Sequence, residues 1–149
     1  MNTSGAVSSV LAMKAKPGEI CTITPENTVY EAIQKMADHN VGALLVMSGE
    51  RLVGMITERD YTRKVALRGK QSKNTLVQEI LTTNLTTVAP NQSVDECLRL
   101  MTQHRIRHLP VVENQKVLGV VSIGDLVNWI ITTQGVMIDQ LKKYIGGHY

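Results

Sequence analysis

Two short motifs in this chain of 149 residues have the residue types and spacing to do chemistry. Thr57-Glu58-Arg59-Asp60 and Ser122-Ile123-Gly124-Asp125 each place a hydroxyl three residues ahead of a carboxylate, directly after an apolar run. An isolated motif of this kind is a capping box, in which hydroxyl and carboxylate satisfy the free amides of a new helix. Three features argue for more. The motif occurs twice at equivalent places. Both copies stand where a strand gives way to a helix, and amides exposed there favour phosphate. Asp is shorter than the usual Glu or Gln of a capping box, so its carboxylate is expected to be free to accept from the two adjacent hydroxyls of a ribose. Thr57 or Ser122 can donate to a sugar or phosphate oxygen, and Arg59 adds a planar cation that suits phosphate. Together these describe a nucleotide pocket.

The elements that must position these residues repeat. Residues 24–61 align with residues 89–126 at a constant offset of 65, without a gap. Nine of the 38 pairs are identical, among them Met36 with Met101, Gly54 with Gly119 and Asp60 with Asp125; roughly two are expected by chance. The chain is therefore a duplication, and duplicated units often pack against each other. Each copy reads as a short apolar strand (Ile20 to Ile23; Leu85 to Val88), a Pro turn, and a helix capped by Thr28 or Ser93. Val29, Ala32, Ile33, Met36 and Ala37 keep helical spacing, and Val94, Cys97, Leu98 and Met101 repeat it. Two strands follow, "ALLVM" and "RLVGMI" in the first copy, "HLPVV" and "KVLGVV" in the second. A final helix opens at Thr57 or Ser122. The order β-α-β-β-α is a small α/β unit with helices covering a sheet. We divide the chain into an N-terminal segment (1–18), a first repeat (19–74), a second repeat (75–133) and a C-terminal helix and tail (134–149). Residues 67–74, "LRGKQSKN", form the joint, and Asp139 and Lys143, four apart, suit one more surface helix.

Bulk properties set bounds. The chain is 43 % hydrophobic and 19 % charged, which is ordinary globular composition. Phe is absent, so Val, Ile, Leu and Met must build the core. A net charge of +3 and a pI near 9.0 suit a phosphate-bearing ligand but are too weak to argue for nucleic acid. Two cysteines, Cys21 and Cys97, make neither a metal spacing nor a disulfide framework, which points to a reducing compartment. No run of about 18 apolar residues exists, and the first residues lack the apolar core of a secretory signal. A cytoplasmic protein with no membrane contact is expected.

The paired stretches "MADHNVGALLV" and "MTQHRIRHLPVV", each followed by glycine, two apolar residues and [ST]-x-x-D, resemble a tandem pair of CBS (cystathionine-β-synthase) domains over roughly residues 5 to 133. The resemblance implies a Bateman module: two repeats packed sheet to sheet with pseudo-two-fold symmetry and two clefts between them. Such modules commonly bind AMP or ATP, and some bind NAD or S-adenosylmethionine. Carried over by position, Asp60 and Asp125 hold ribose hydroxyls, with Thr57 and Ser122 near ribose or phosphate and Gly124 within the second motif. Arg59, Arg107 and His108 face phosphate. Backbone near Thr22, Gly42 and Ala43 lines one adenine slot, and backbone near Thr87 and Leu109 lines the other. Arg107-His108 stands opposite Gly42-Ala43 in the alignment, so the two clefts are expected to differ. The resemblance also implies disk-like homodimers, in keeping with the commonest closed symmetry.

Other readings carry less. His104 and His108, four apart, straddle a helix end and a strand, which argues against a metal pair; His39 and His104 suit the negative pole of helix ends. No P-loop, Rossmann fingerprint or nucleophile elbow occurs, and no catalytic set or catalytic cofactor is expected. The expected function is a nucleotide-sensing module that acts on a partner of unknown identity. The alternative is a nucleic-acid-binding or purely structural dimer, with the Ser–Asp motifs as caps and the arginines of "HRIRH" as its support.

Overall fold

The structure is a computed structural model and describes residues 5–14 and 20–133. Helix α2 (Val29–His39) opens with a full capping box: the Thr28 hydroxyl accepts from Glu31 N at 3.1 Å, and Thr28 N donates to the Glu31 carboxylate at 2.9 Å. Its counterpart α5 (Val94–His104) has the Ser93 half of the box only. Glu96, which aligns with Glu31, is turned to Arg99 instead, at 2.6 Å. Both helices bury the apolar faces expected of them: Val29, Ala32 and Met36 in one, Val94, Cys97 and Met101 in the other. Both end on a left-handed residue, Asn40 or Arg105, each at φ 54°.

Each helix feeds an antiparallel hairpin, β2 (Ala43–Ser48) with β3 (Arg51–Thr57) and β4 (His108–Glu113) with β5 (Lys116–Ser122). The register slips at the same aligned place in both, after Val46 and after Val111. Strand β2 reads as a continuous apolar run because both of its faces are covered. Leu44 and Val46 pack with α2, while Ala43 and Leu45 turn to the opposite sheet.

One expected strand is missing. In the first repeat β1 (Thr22–Ile23) lies parallel to β2, and Leu45 N donates to the Cys21 carbonyl at 3.1 Å. Leu45 aligns with Pro110, which has no N–H to offer. The expected strand Leu85 to Val88 therefore shrinks to a single bridge, Val88 to Val111. The final helices differ as well. Ser122 leads into an unbroken α6 (Ile123–Thr133), whereas Thr57 leads into a single α-helical stretch, α3 (Glu58–Tyr61), that widens into a π turn over Thr62–Ala66. The joint holds a short 3-10 turn, Ser72–Asn74. The helix expected beyond residue 133 lies outside the described residues.

The leading helices of the two halves are exchanged. Helix α1 (Val7–Ala12) packs into the second repeat, where Val7 and Val10 join a core with Val94, Leu109 and Leu126. Helix α4 (Val77–Ile80) packs into the first, where Val77 and Ile80 join Val29, Leu44 and Ile56. A third apolar cluster joins the halves: Leu45 and Met55 from one sheet meet Val117 and Val120 from the other, with Leu85 at the seam. The α/β fold is thus two like units packed sheet to sheet.

Candidate functional site

Thr57 has the extended backbone of an N-cap, φ −123° and ψ 165°. Its hydroxyl accepts from Asp60 N at 3.1 Å, and its own N–H donates to Asp60 Oδ2 at 3.0 Å. The short carboxylate does reach back, contrary to the expectation that it would stay free for a diol. The other oxygen is engaged too: Asp60 Oδ1 accepts from the Thr82 hydroxyl at 3.0 Å and pairs with Lys64 Nζ at 3.0 Å. Asp60 is one of two buried polar residues among the described ones, at 7 % exposure.

The second corner repeats the cap and little else. Ser122 N donates to Asp125 Oδ2 at 2.9 Å, and Asp125 N donates to Ser122 Oγ at 3.1 Å. Lys14, just past α1, sits 3.2 Å from the same Oδ2 and donates to the Val120 carbonyl at 2.8 Å. Oδ1 of Asp125 has no partner among the described residues.

The first corner opens onto a cleft of about 1250 Å³ between the repeats. That volume exceeds the usual range for small-molecule sites, roughly 300–1,000 Å³, so a whole nucleotide fits. One wall is Thr57, Arg59, Asp60, Arg63 and Lys64. The segment crossing between the repeats adds Thr82, Asn84 and Thr86, and the facing wall is the end of α5 and the start of β4, with His104, Arg105, Arg107 and His108. Arg59 ties the walls together, because its Nη1 donates to the Arg105 carbonyl at 2.8 Å. Gly42 lies in the floor. A Cβ there would come 2.8 Å from Glu58 Oε1 and 3.4 Å from the His108 ring, so the absent side chain leaves those two groups in place.

Six of the sequence candidates therefore meet in one place: Gly42, Thr57, Arg59, Asp60, Arg107 and His108. The others do not line this cleft. Thr22 is on β1, with its carbonyl bonded to Lys35 Nζ. Ala43 is buried between the sheets, Thr87 is exposed beside the crossing segment, and Leu109 is fully buried in the second core. Ser122, Gly124 and Asp125 make up the second corner. Sequence reasoning missed Arg63, Lys64, Thr82, Asn84 and Thr86. Lys64 carried a usable signal, since it stands four residues after Asp60 on a helical turn. The threonines and Asn84 carried none, because only the packing of the crossing segment against β3 brings them in: Thr82 and Met55 exchange backbone bonds at 2.9 Å.

Five cations line the cleft, Arg59, Arg63, Lys64, Arg105 and Arg107, against the carboxylates of Glu58 and Asp60. His108 adds no charge of its own. Burial holds its imidazole below the ordinary value of 6.5; Asp125 opposes that shift, and Lys14 and Arg107 reinforce it. His104 ends α5 and His108 starts β4, and among the described residues no three His, Cys, Asp or Glu side chains gather as metal ligands.

The family model for the CBS domain matches this chain twice, over residues 7–67 and 77–132. The chain belongs to the CBS domain family. As a tandem CBS pair it is 42 % identical, over 98 % of its length and 74 % of the relative's, to the mitochondrial CBS domain-containing protein CBSX3 of Arabidopsis thaliana. Among solved structures it is similar to a putative signal-transduction protein with CBS domains from Burkholderia ambifaria, at a TM-score of 0.84 and 48 % identity over 87 % of this chain and 96 % of that one. It is also similar to the CBS domain pair of protein MJ0100, at a TM-score of 0.75 and 26 % identity over 88 % of this chain and 99 % of that one. That structure is a complex with 5′-methylthioadenosine and S-adenosyl-L-methionine. Among the described residues of this CBS pair, no helix is long and apolar enough to cross a membrane.

Proposed function

We propose that this CBS pair is a regulatory module that binds an adenine nucleotide, AMP, ATP or NAD, in the cleft between its repeats. The observation that carries this reading is the convergence of a hydroxyl–carboxylate corner from one repeat with arginines from the other around one cavity large enough for a nucleotide. Asp60 and Thr57 meet the ribose, and Asp60 Oδ1 exchanges its Thr82 bond for a ribose hydroxyl. Arg59, Arg107 and His108 meet phosphate. Backbone at Gly42, in the lining of the cleft, lies towards the base. Ser122, Gly124 and Asp125 form a second candidate corner. The adenosine-containing ligands of the MJ0100 pair support the ligand class.

The module performs no catalysis. It signals by linkage: a ligand that prefers one of two shapes of the pair biases a bound partner by the same free energy, tenfold for about 1.4 kcal/mol. Arg59, which bridges the repeats at Arg105, couples cleft occupancy to their relative position. The pair acts as a two-fold homodimer, the commonest closed assembly. The exposed row Ile123, Val127 and Ile131 on α6 supports self-association. The free thiols Cys21 and Cys97 suit a reducing, cytoplasmic-type compartment.

Thermal melting tests the reading. At 100 times its Kd a nucleotide adds about 2.7 kcal/mol, a rise of about 5–10 °C for a chain of this length. AMP, ATP or NAD is expected to give that rise. No rise with any of the three, beside a rise with short RNA that vanishes with added salt, would establish the nucleic-acid alternative instead.

A further inference from the structure

The duplication supplies an internal control for every charge in the cleft. At the aligned positions of the other copy, Arg59 faces Gly124, Arg63 faces Asn128, Lys64 faces Trp129, Arg105 faces Asn40 and Arg107 faces Gly42. All five cations line one cleft, and all five counterparts are uncharged. At Arg59, Arg105 and Arg107 the corresponding backbone is built without charge, so the fold does not require it there; Arg63 and Lys64 stand in the π turn that the second copy lacks.

Three of the five are uncommitted. Lys64 is paired with Asp60, and Arg59 gives one donor to the Arg105 carbonyl. Arg63, Arg105 and Arg107 have no acidic partner among the described residues. Like charges brought together in this way repel one another in the empty protein. Arg105 carries an added strain. It occupies the left-handed position that closes α5, at φ 54°, where the first copy has Asn40 at the same φ. Asn favours that conformation through local hydrogen bonding, and Arg favours it less. A less favoured residue at a cavity edge suits a role in the cavity.

We infer that this cleft selects its ligand by phosphate charge, taking a nucleoside di- or triphosphate in preference to a monophosphate or an uncharged adenosyl compound, with Arg63, Arg105 and Arg107 as the specificity-determining residues. The inference rests on the nucleotide reading of the same cleft. A guanidinium offers a fixed planar fork that matches phosphate oxygens two at a time, and three of them on two walls can hold more oxygens than one phosphate presents. The second corner, with neutral residues in the corresponding places, has no such preference, so one polyphosphate binds per chain.

Calorimetry with adenosine, AMP, ADP, ATP and inorganic tripolyphosphate tests this on the intact chain. ATP is expected to bind at one site per chain, at least about tenfold more tightly than AMP, as an added charge-assisted bond gives. Tripolyphosphate is expected to displace it. Arg105→Asn, which installs the residue of the first copy, is expected to leave the melting temperature equal or higher while weakening ATP at least about tenfold and AMP by no more than about twofold. Equal affinities for AMP and ATP, two equal ATP sites, failure of tripolyphosphate to compete, or unchanged ATP binding in Arg105→Asn overturns the inference and leaves the nucleotide reading standing. Tripolyphosphate binding without any adenine compound supports charge selection and overturns the nucleotide reading. No binding by any of the five overturns both.

Discussion

The corner at Asp60 and the corner at Asp125 share a backbone cap and part company beyond it. In each, a hydroxyl and a carboxylate three residues apart satisfy one another's amides, with bonds between 2.9 and 3.1 Å. In the first corner the remaining carboxylate oxygen is filled by Thr82 and Lys64, out of solvent. In the second it has no partner among the described residues, and the companion lysine comes from outside the repeat. A four-residue motif thus fixes the helix start and nothing further. What the acid does next depends on the segment packed against it: the crossing segment with Thr82 in one half, the residue just past α1, Lys14, in the other.

The largest effect that could break this comparison is on stability. Asp60→Ala removes a cap, the acceptor of the part-buried Thr82 hydroxyl and the ion-pair partner of Lys64, which keeps its bond to the Ile80 carbonyl, so a loss of about 2–4 kcal/mol is expected. Asp125→Ala removes a cap and a half-exposed ion pair, for about 1 kcal/mol. The melting temperature should fall by about 4–16 °C in the first and about 2–4 °C in the second. Equal falls would mean that burial of the first corner contributes nothing.

The aligned glycines behind the two corners give a smaller contrast. A Cβ at Gly54 would lie 2.1 Å from Leu81 Cδ1 and 2.7 Å from the Thr82 carbonyl, which is backbone and cannot turn aside. At Gly119 the nearest atom is the tip of Leu11, at 3.0 Å. Gly54→Ala is expected to cost about 1–3 kcal/mol by overpacking, and Gly119→Ala less than about 1 kcal/mol. Denaturant midpoints compare the two directly.

The smallest effect sits between the corners. His108 lines the first cleft and feels the charges of the second. Its folded pKa is lowered, so on acidification the unfolded chain takes up the proton first. Stability is full above the ordinary histidine value of 6.5 and falls as pH drops through and below it. The slope is at most about 1.4 kcal/mol per pH unit. His108→Gln should flatten this part of the profile. Asp125→Asn, which removes the opposing charge, should extend the loss, and Lys14→Gln should shorten it.

Much of this was legible in the sequence because it is local and periodic. The constant offset gave the doubling, the apolar spacing gave α2 and α5, and Thr28 and Ser93 marked where they begin. The α/β order followed from the motif and its family resemblance. What was not legible depends on a partner distant in the chain. Pro110 could be read as a proline in a strand, but the loss of the Leu85–Val88 strand needed the knowledge that its N–H is the one Leu45 uses. Asp60 could be read as a short reach-back acid; that it reaches back, and that Thr82 and Lys64 complete it, depends on the crossing segment lying beside β3. Arg63 carried no signal, and Arg105 stood only among the arginines of "HRIRH", because the facing of the two walls depends on how the repeats pack.

The exchange of leading helices also sets an order of events during synthesis. The seat for Val77 and Ile80 is made of residues that leave the ribosome before them, so the first half can close as soon as α4 emerges. Val7 and Val10 emerge early, yet their seat includes Leu109, Val121 and Leu126, about a hundred residues later. The earliest helix must therefore wait for nearly the whole chain, a contact of long loop and slow closure. Two fragments produced by cutting at the 67–74 joint would each hold the helix that completes the other's core, and mixing them should rebuild the whole.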